Sequence, residues 1–136
     1  MRRLLTTALV TYALILLVVL LNPSPAVPSE LVSRVASLGL RLALPAPLVE
    51  PTRVEFSLNV LAFLPLALLG SLWRPAVTVS AWTTIGFAGS LLVEATQTLL
   101  PDRSATHSDV VANTLGAALG AMIAWVALRL VEHRTQ

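Results

Sequence analysis

Residues 94–116 read EATQTLLPDRSATHSDVVANTLG and join two strongly apolar stretches of the chain. This short segment carries a glutamate, a glutamine, an arginine, an aspartate and an asparagine, most of them at helical spacing. Ionisable groups inside a membrane helix cost about 2.5–3.5 kcal/mol each on insertion scales, so they rarely persist without a partner or a function. We therefore expect the functional residues of this chain in and around this segment.

The composition of the chain indicates a membrane protein. Of the 136 residues, 56% are hydrophobic and 12% are charged, whereas soluble domains carry about 25% charged residues. The nine basic residues are all arginine and lie scattered near the ends of apolar runs, which argues against nucleic-acid binding. The chain has no cysteine, which excludes disulfides, Cys-based metal sites and a thiol nucleophile. These observations predict an all-α, polytopic membrane protein in a single domain.

Four apolar runs predict four transmembrane helices, because about 20 apolar residues cross the hydrocarbon layer. The runs are residues 4–21, 54–73, 76–100 and 109–130. The first run is also compatible with a secretory signal peptide, but its uncharged core is longer than the roughly 7–15 residues of a signal, which favours an uncleaved helix. Pro65 is expected to bend the second helix, and Pro101 is expected to end the third.

The segment between the first two spans contains a possible amphipathic helix over residues 29–44. Apolar residues recur there with helical period beside a polar stripe of Glu30, Arg34, Ser37 and Arg41. This pattern predicts a short helix in the membrane interface, in the first extracytoplasmic loop. A solvated connector without a fixed structure is the alternative.

The arginines and tryptophans predict the orientation of the bundle. Arg2, Arg3 and Arg74 place the N-terminus and the second loop on the cytoplasmic side by the positive-inside rule, and an even number of spans returns the C-terminus to that side. Three tryptophans fall near the same end of their helices, as one half of an aromatic belt does. They are Trp73, Trp82 and Trp125.

Polar side chains of kinds that are rare in membrane helices lie in the leaflet opposite the tryptophans. Three pairs on successive helices have helical spacing, so the members of each pair share a face. The pairs are Glu55 with Asn59, Glu94 with Gln97, and Asp109 with Asn113, and Arg103 stands in the short loop above them. We predict a ligand-binding site formed by Asn59, Glu94, Gln97, Arg103, Asp109 and Asn113, with Glu55 as its weakest member.

Glu94 has the strongest indication of function among these residues. It lies roughly 10 Å inside the membrane from Pro101 at about 1.5 Å per residue. At that depth it either keeps its proton or has Arg103 or an amide within reach. A buried carboxyl group held near neutrality suits general acid–base catalysis, which makes Glu94 and Asp109 candidate catalytic residues.

Structural roles are the alternative for several positions. Asn59 and Asn113 alternatively lock helices together, at about 0.6 kcal/mol per hydrogen bond, and Asp109 alternatively caps the fourth helix. Gly116 and Gly120 allow close approach of another backbone, either from this chain or from a partner helix. Neither a metal nor a cofactor is expected, because one nearby histidine among mixed oxygen ligands is a poor metal signature.

Two stretches of the chain resemble the VanZ-like family of small bacterial membrane proteins. They are residues 59–70, NVLAFLPLALLG, and residues 94–120, with the order Glu-x-x-Gln, Arg-Ser and Asp-x-x-x-Asn-Thr-x-Gly. The resemblance covers about residues 54–125, and the N-terminal third matches only as a membrane helix followed by a loop. The chain departs from the family pattern at residues 105–108, ATHS, where the family usually has a bulky apolar residue followed by an acidic one.

The resemblance implies a multi-pass protein of the bacterial cytoplasmic membrane in which the polar residues above are the characteristic positions. The founding member of the family is associated with low-level resistance to the glycopeptide teicoplanin. We expect an outward-facing pocket that binds a lipid head group or a lipid-linked envelope precursor, with Arg103 paired to its phosphate. A membrane-embedded acid–base enzyme acting on an envelope lipid and a structural partner of another membrane protein are the alternatives.

Overall fold

Helices form the regular structure of the chain in the computed structural model, which describes residues 2–22, 24, 26–99 and 106–134. The all-α prediction is confirmed for these residues. Five α-helices and one short 3₁₀ helix follow one another in this order: α1 (Arg2–Leu20), α2 (Ala26–Arg41), the 3₁₀ helix (Ala46–Val49), α3 (Pro51–Trp73), α4 (Val79–Gln97) and α5 (His107–Arg134).

Three of the described helices, α1, α3 and α5, are long and apolar enough to cross a membrane. The 19-residue α4 occupies the position of the predicted third span but is not among these three. Its last turn contains Glu94 and Gln97, which lower its apolar character. The four-span count therefore stays a prediction, although a helix is present at each of the four predicted positions.

The predicted boundaries shift by a few residues because side chains cap the helices. The third span was predicted to begin at residue 76, but α4 begins at Val79, since the Thr78 hydroxyl accepts a hydrogen bond from the Ala81 N–H at 3.2 Å. A threonine in this position satisfies one of the free amides of the first helical turn. The predicted stop at Pro101 lies outside the described residues.

The amphipathic segment between the first two spans forms α2, which begins and ends three residues earlier than predicted. The chain leaves this helix through Ala43, whose φ of 57° lies in the left-handed region and breaks the helical path. Gly39 is buried against Val49 of the 3₁₀ helix, where an added Cβ would collide with the valine side chain. The helix itself is thus present, and its location in the membrane interface stays a prediction.

Close contact between α3 and α5 forms the centre of the bundle. Gly116 and Gly120 lie against the α3 backbone, and a Cβ added to either glycine would collide with the carbonyl oxygen of Val60 or Leu64. The neighbouring buried side chains of α5 are also small: Ala112, Ala117, Ala121 and Ala124. Small residues let two backbones approach each other closely, so this glycine face serves packing inside the chain.

The contacts between helices give the direction in which each one runs. Positions 116 and 120 of α5 meet positions 60 and 64 of α3 in the same order, so these two helices are parallel. Gly86 of α4 meets Ala117, whereas Ser90 meets Asn113, so α4 is antiparallel to α5. The N-terminus of α1 and the C-termini of α3 and α5 therefore lie at one end of the bundle, and the side of the membrane they face stays a prediction.

The first helix packs on α3 near the proline that interrupts it. Pro65 has no N–H to donate to the carbonyl of Leu61, yet α3 continues through it to Trp73. The Tyr12 hydroxyl of α1 donates a 2.8 Å hydrogen bond to the adjacent carbonyl of Ala62. This bond attaches α1 to α3 one residue away from the Leu61 carbonyl that lacks its helical donor.

Candidate functional site

Asp109 is held by hydrogen bonds to both of its carboxylate oxygens. The Asn59 amide of α3 donates to Oδ1 at 2.7 Å, and the Thr106 hydroxyl donates to Oδ2 at 2.7 Å. Thr106 also accepts a 3.2 Å hydrogen bond from the backbone N–H of Asp109. The capping hydroxyl at the start of α5 thus belongs to Thr106, which corrects the interpretation of Asp109 as the cap. Asp109 instead ties α5 to α3.

Asn113 lies one turn deeper and joins α5 to α4. Its Nδ2 donates a 2.9 Å hydrogen bond to the Ser90 hydroxyl, and both side chains are almost fully buried. Sequence reasoning did not select Ser90, although it stands four residues before Glu94 and seven before Gln97 and therefore shares their helical face. That periodicity was the signal by which it could have been found.

Gln97 connects the end of α4 to the end of α1. Its Nε2 donates a 2.7 Å hydrogen bond to the backbone carbonyl of Leu20. The last carbonyls of a helix have no partner within the helix, so Gln97 satisfies one of those of α1. This bond also fixes the C-terminus of α1 beside the polar residues.

Glu94 lies at the centre of this polar group, with 8% of its surface exposed. Its carboxyl group lies near the backbone of Thr106 and near the side chains of Asp109 and His107. Its Oε2 atom is buried and has no hydrogen-bond partner among the described residues. The same holds for Oδ1 of Asn113. Two buried acceptor atoms of this site therefore lack a donor from the described residues.

A cavity of about 470 Å³ adjoins these residues. Its polar end is formed by Glu55, Asn59, Glu94, Gln97, Asp109 and Asn113. The remaining wall is mostly apolar and comes from α1, α2 and α3, including Leu16, Val19, Leu20, Leu31, Val32 and Leu61. The structure thus brings together every predicted ligand-binding residue that it describes, and Arg103 lies outside the described residues.

The described residues contain no group of three or more His, Cys, Asp or Glu side chains arranged to hold a metal ion. The tryptophans lie away from this cavity. Trp82 packs over Gly70 in the core, while Trp73 and Trp125 each have an arginine over the ring, Arg74 at 4.6 Å and Arg129 at 5.7 Å from the ring centroid. The polar cavity and the tryptophans thus occupy different regions of the bundle.

Comparison with known protein families shows the family to which the chain belongs. The model of the VanZ/LLP1 family matches residues 9–129 of the chain. The chain belongs to the VanZ/LLP1 family. This match extends the resemblance of residues 54–125 to α1 and α2. No curated protein and no solved structure matches the chain.

Family membership and the apolar helices together describe a VanZ-like membrane protein. The matched region contains all the described residues of the cavity, from Leu16 in α1 to Asn113 in α5. The first two helices therefore belong to the same family unit as the polar residues that they help to enclose.

Proposed function

We propose that this VanZ-like protein binds a lipid head group or a lipid-linked envelope precursor in its cavity, and that it thereby affects the cell envelope and susceptibility to teicoplanin-type glycopeptides. The observation that carries the proposal is the two-part lining of the cavity. One end presents buried carboxyl and carboxamide groups, and the rest of the wall is apolar. A ligand with a polar head and a hydrocarbon chain matches this division.

The supply of ligand also favours a lipid. The cavity is bounded by α1 and α2, whose outer surfaces expose large apolar side chains such as Leu14, Val18 and Leu38. In a membrane these surfaces face acyl chains, so lipid is the molecule most available to enter between the two helices. In the proposed orientation, the polar end opens to the outer side and Arg103 pairs with the phosphate of the head group.

Two variants of α1, one at a residue that lines the cavity and one at a residue outside it, test this proposal. Leu16 lines the cavity, whereas Leu14 is exposed outside it. Leu16→Trp is expected to fill the cavity and abolish the retention of lipid during purification, and Leu14→Trp is expected to retain lipid like the wild type. Native mass spectrometry of the purified chains measures the difference. Equal lipid retention by the two variants would exclude this cavity as the binding site.

The cellular part of the proposal has its own test. Teicoplanin susceptibility is measured in a bacterial host expressing the wild type, Leu16→Trp, Leu14→Trp, Glu94→Ala or Arg103→Ala at matched membrane levels. We expect protection by the wild type and Leu14→Trp and loss of protection with the other three. If expression of the wild type leaves teicoplanin susceptibility unchanged, this protein has the family fold but does not affect glycopeptide susceptibility.

The proposed orientation is tested with the cysteine-free background of the chain. Single substitutions Arg74→Cys and Ser108→Cys place thiols at opposite ends of the bundle. A membrane-impermeant maleimide added to intact cells is expected to label position 108 and to leave position 74 unlabelled. Labelling of position 74 alone would invert the bundle and open the cavity to the cytoplasm.

An acid–base enzyme acting on an envelope lipid is the second candidate, and the geometry of the two carboxyl groups favours one of them as its acid or base. Both oxygens of Asp109 are engaged in hydrogen bonds, whereas Oε2 of Glu94 is not. Glu94 is thus the better-placed acid or base. Conversion of a bound lipid to a product of different mass, lost in Glu94→Gln, would establish this activity in place of simple binding.

A further inference from the structure

Two residues of the cavity wall carry unpaired hydrogen-bond acceptors. These acceptors indicate which chemical group the head of a bound lipid would carry. Glu94 Oε2 and Asn113 Oδ1 are buried acceptors without a partner among the described residues, on side chains that are 8% and 2% exposed. Both residues line the cavity. Leaving a buried acceptor unpaired is costly, so such atoms in a native protein indicate a missing donor.

Each of three carboxamide groups at the same end of the cavity uses one of its two N–H groups for a hydrogen bond within the protein. Asn59 Nδ2 donates to Asp109, Gln97 Nε2 to the carbonyl of Leu20, and Asn113 Nδ2 to Ser90. Each carboxylate oxygen of Asp109 accepts one such bond, from Asn59 or from Thr106. The two unpaired acceptors, together with the carboxyl groups of Glu94 and Asp109 in the cavity wall, therefore favour a ligand that supplies hydrogen-bond donors.

We infer that the cavity binds an amphiphile whose head group carries a protonated primary amine, with the ammonium donating to Glu94 Oε2 and Asn113 Oδ1 and the hydrocarbon chain lying along α1 and α2. This inference rests on the proposed lipid-binding function and specifies its ligand. A primary ammonium offers three donors and no acceptor. Its positive charge also meets two neighbouring carboxyl groups, Glu94 and Asp109.

Other common head-group chemistries fit these atoms less well. A phosphate oxygen placed at Glu94 would bring a second acceptor beside a carboxyl group, which is repulsive at low dielectric. A quaternary ammonium has the positive charge but no N–H to donate, so both acceptors would stay unpaired. A neutral hydroxyl donates one hydrogen bond without the charge-assisted gain that an ammonium and a carboxylate have.

The test compares three phospholipids with identical acyl chains on the full-length protein in detergent. Phosphatidylethanolamine carries a primary ammonium, phosphatidylcholine a quaternary ammonium, and phosphatidylglycerol hydroxyl groups with a net negative charge. Native mass spectrometry gives an apparent dissociation constant for each. We expect phosphatidylethanolamine to bind about tenfold or more tightly than the other two, because a hydrogen bond to a charged group contributes about 1.5–3 kcal/mol.

Glu94→Gln is the decisive variant, because it preserves the size of the side chain and removes its charge. It is expected to weaken the binding of phosphatidylethanolamine about tenfold to a hundredfold. The apparent dissociation constants of phosphatidylcholine and phosphatidylglycerol are expected to stay within about twofold of the wild-type values. Glu50→Gln makes the same chemical change at an exposed residue outside the cavity and is expected to behave like the wild type. Equal weakening of all three lipids by Glu94→Gln would overturn the inference.

The remaining outcomes separate this inference from the lipid-binding proposal. If the three lipids bind the wild type equally and Leu16→Trp abolishes all binding, the lipid cavity stands and the amine is excluded. If no lipid binds more tightly to the wild type than to Leu16→Trp, both proposals fail. Free ethanolamine is added as a competitor: no displacement of lipid supports the amphiphile, whereas displacement at equimolar concentration assigns the site to a small amine.

Discussion

The two halves of the bundle are built in different ways. In the half formed by α3, α4 and α5, glycines and alanines bring backbones together, and α5 alone buries seven residues. In the other half, α1 has no buried residue and α2 buries only Gly39. The cavity lies where these halves meet. The comparison teaches that the polar residues are fixed by a closely packed unit, while the wall that α1 and α2 give to the cavity is loosely attached.

The polar site repeats the same contrast on a smaller scale. Asp109 and Asn59 are paired with each other across α3 and α5, so they serve the packed half. Glu94 stands on the same packed half and lines the cavity, but its buried Oε2 atom has no partner among the described residues. Two carboxyl groups close to each other thus differ in their bonding, because both oxygens of Asp109 accept a hydrogen bond within the protein and Oε2 of Glu94 accepts none from the described residues.

The largest effect is expected from a side chain inserted into the α3–α5 contact. Gly120→Leu forces backbones apart, since even a Cβ at this position meets the Leu64 carbonyl. We expect it to lower the free energy of unfolding in detergent by about 3 kcal/mol, the upper end of typical overpacking costs. Gly89→Leu is the matched control, because no atom lies near its Cβ position. Similar stability of the two variants would show that the close contact between α3 and α5 does not stabilise the bundle.

A smaller loss is expected when the tie between α3 and α5 is removed at the polar end. Asp109→Ala leaves the Asn59 amide and the Thr106 hydroxyl without their acceptor. We expect a decrease of about 1–3 kcal/mol in the free energy of unfolding. Glu94→Gln is the companion measurement and is expected to keep the stability of the wild type. A larger loss for Glu94→Gln than for Asp109→Ala would reverse the roles assigned to the two carboxyl groups.

The attachment of α1 to the packed half is expected to depend weakly on Tyr12. Tyr12→Phe removes the 2.8 Å hydrogen bond to the Ala62 carbonyl and preserves the ring. Hydrogen bonds between membrane helices contribute about 0.6 kcal/mol on average, so the thermal midpoint should decrease only slightly. Faster hydrogen exchange confined to α1 and the middle of α3 would show the local loosening. Loss of the whole bundle would contradict the separation into two halves.

The smallest effect is expected on the outer surface of α2. Arg34 pairs with Glu30 at 2.6 Å, but their side chains are 75% and 63% exposed. Exposed ion pairs of this kind contribute about 0.3–0.5 kcal/mol. Glu30→Gln should therefore leave both the stability and the retention of lipid close to those of the wild type. A marked loss of lipid would mean that α2 controls entry to the cavity through its charged face.

Much of this architecture follows from local sequence patterns. Apolar runs and helical spacing predicted helices at all four long segments, and the polar stripe beside Leu31 and Val35 predicted α2. The boundaries were less accurate, because caps such as Thr78 and Thr106 depend on single hydroxyl groups. Spacing alone also indicated which residues share a face, and so it placed Glu94 beside Gln97 and Asp109 beside Asn113.

The sequence by itself determined that this is an all-helical, VanZ-like membrane chain and predicted which polar residues to expect in one site. Composition and periodicity act over a few turns of one helix, so both are readable without a fold. Only the tertiary structure decided that Asn59 would satisfy Asp109, that Ser90 would satisfy Asn113, and that Glu94 would keep a free acceptor. These pairings join helices distant in the chain, and they depend on how closely the glycines of α5 let its backbone approach α3.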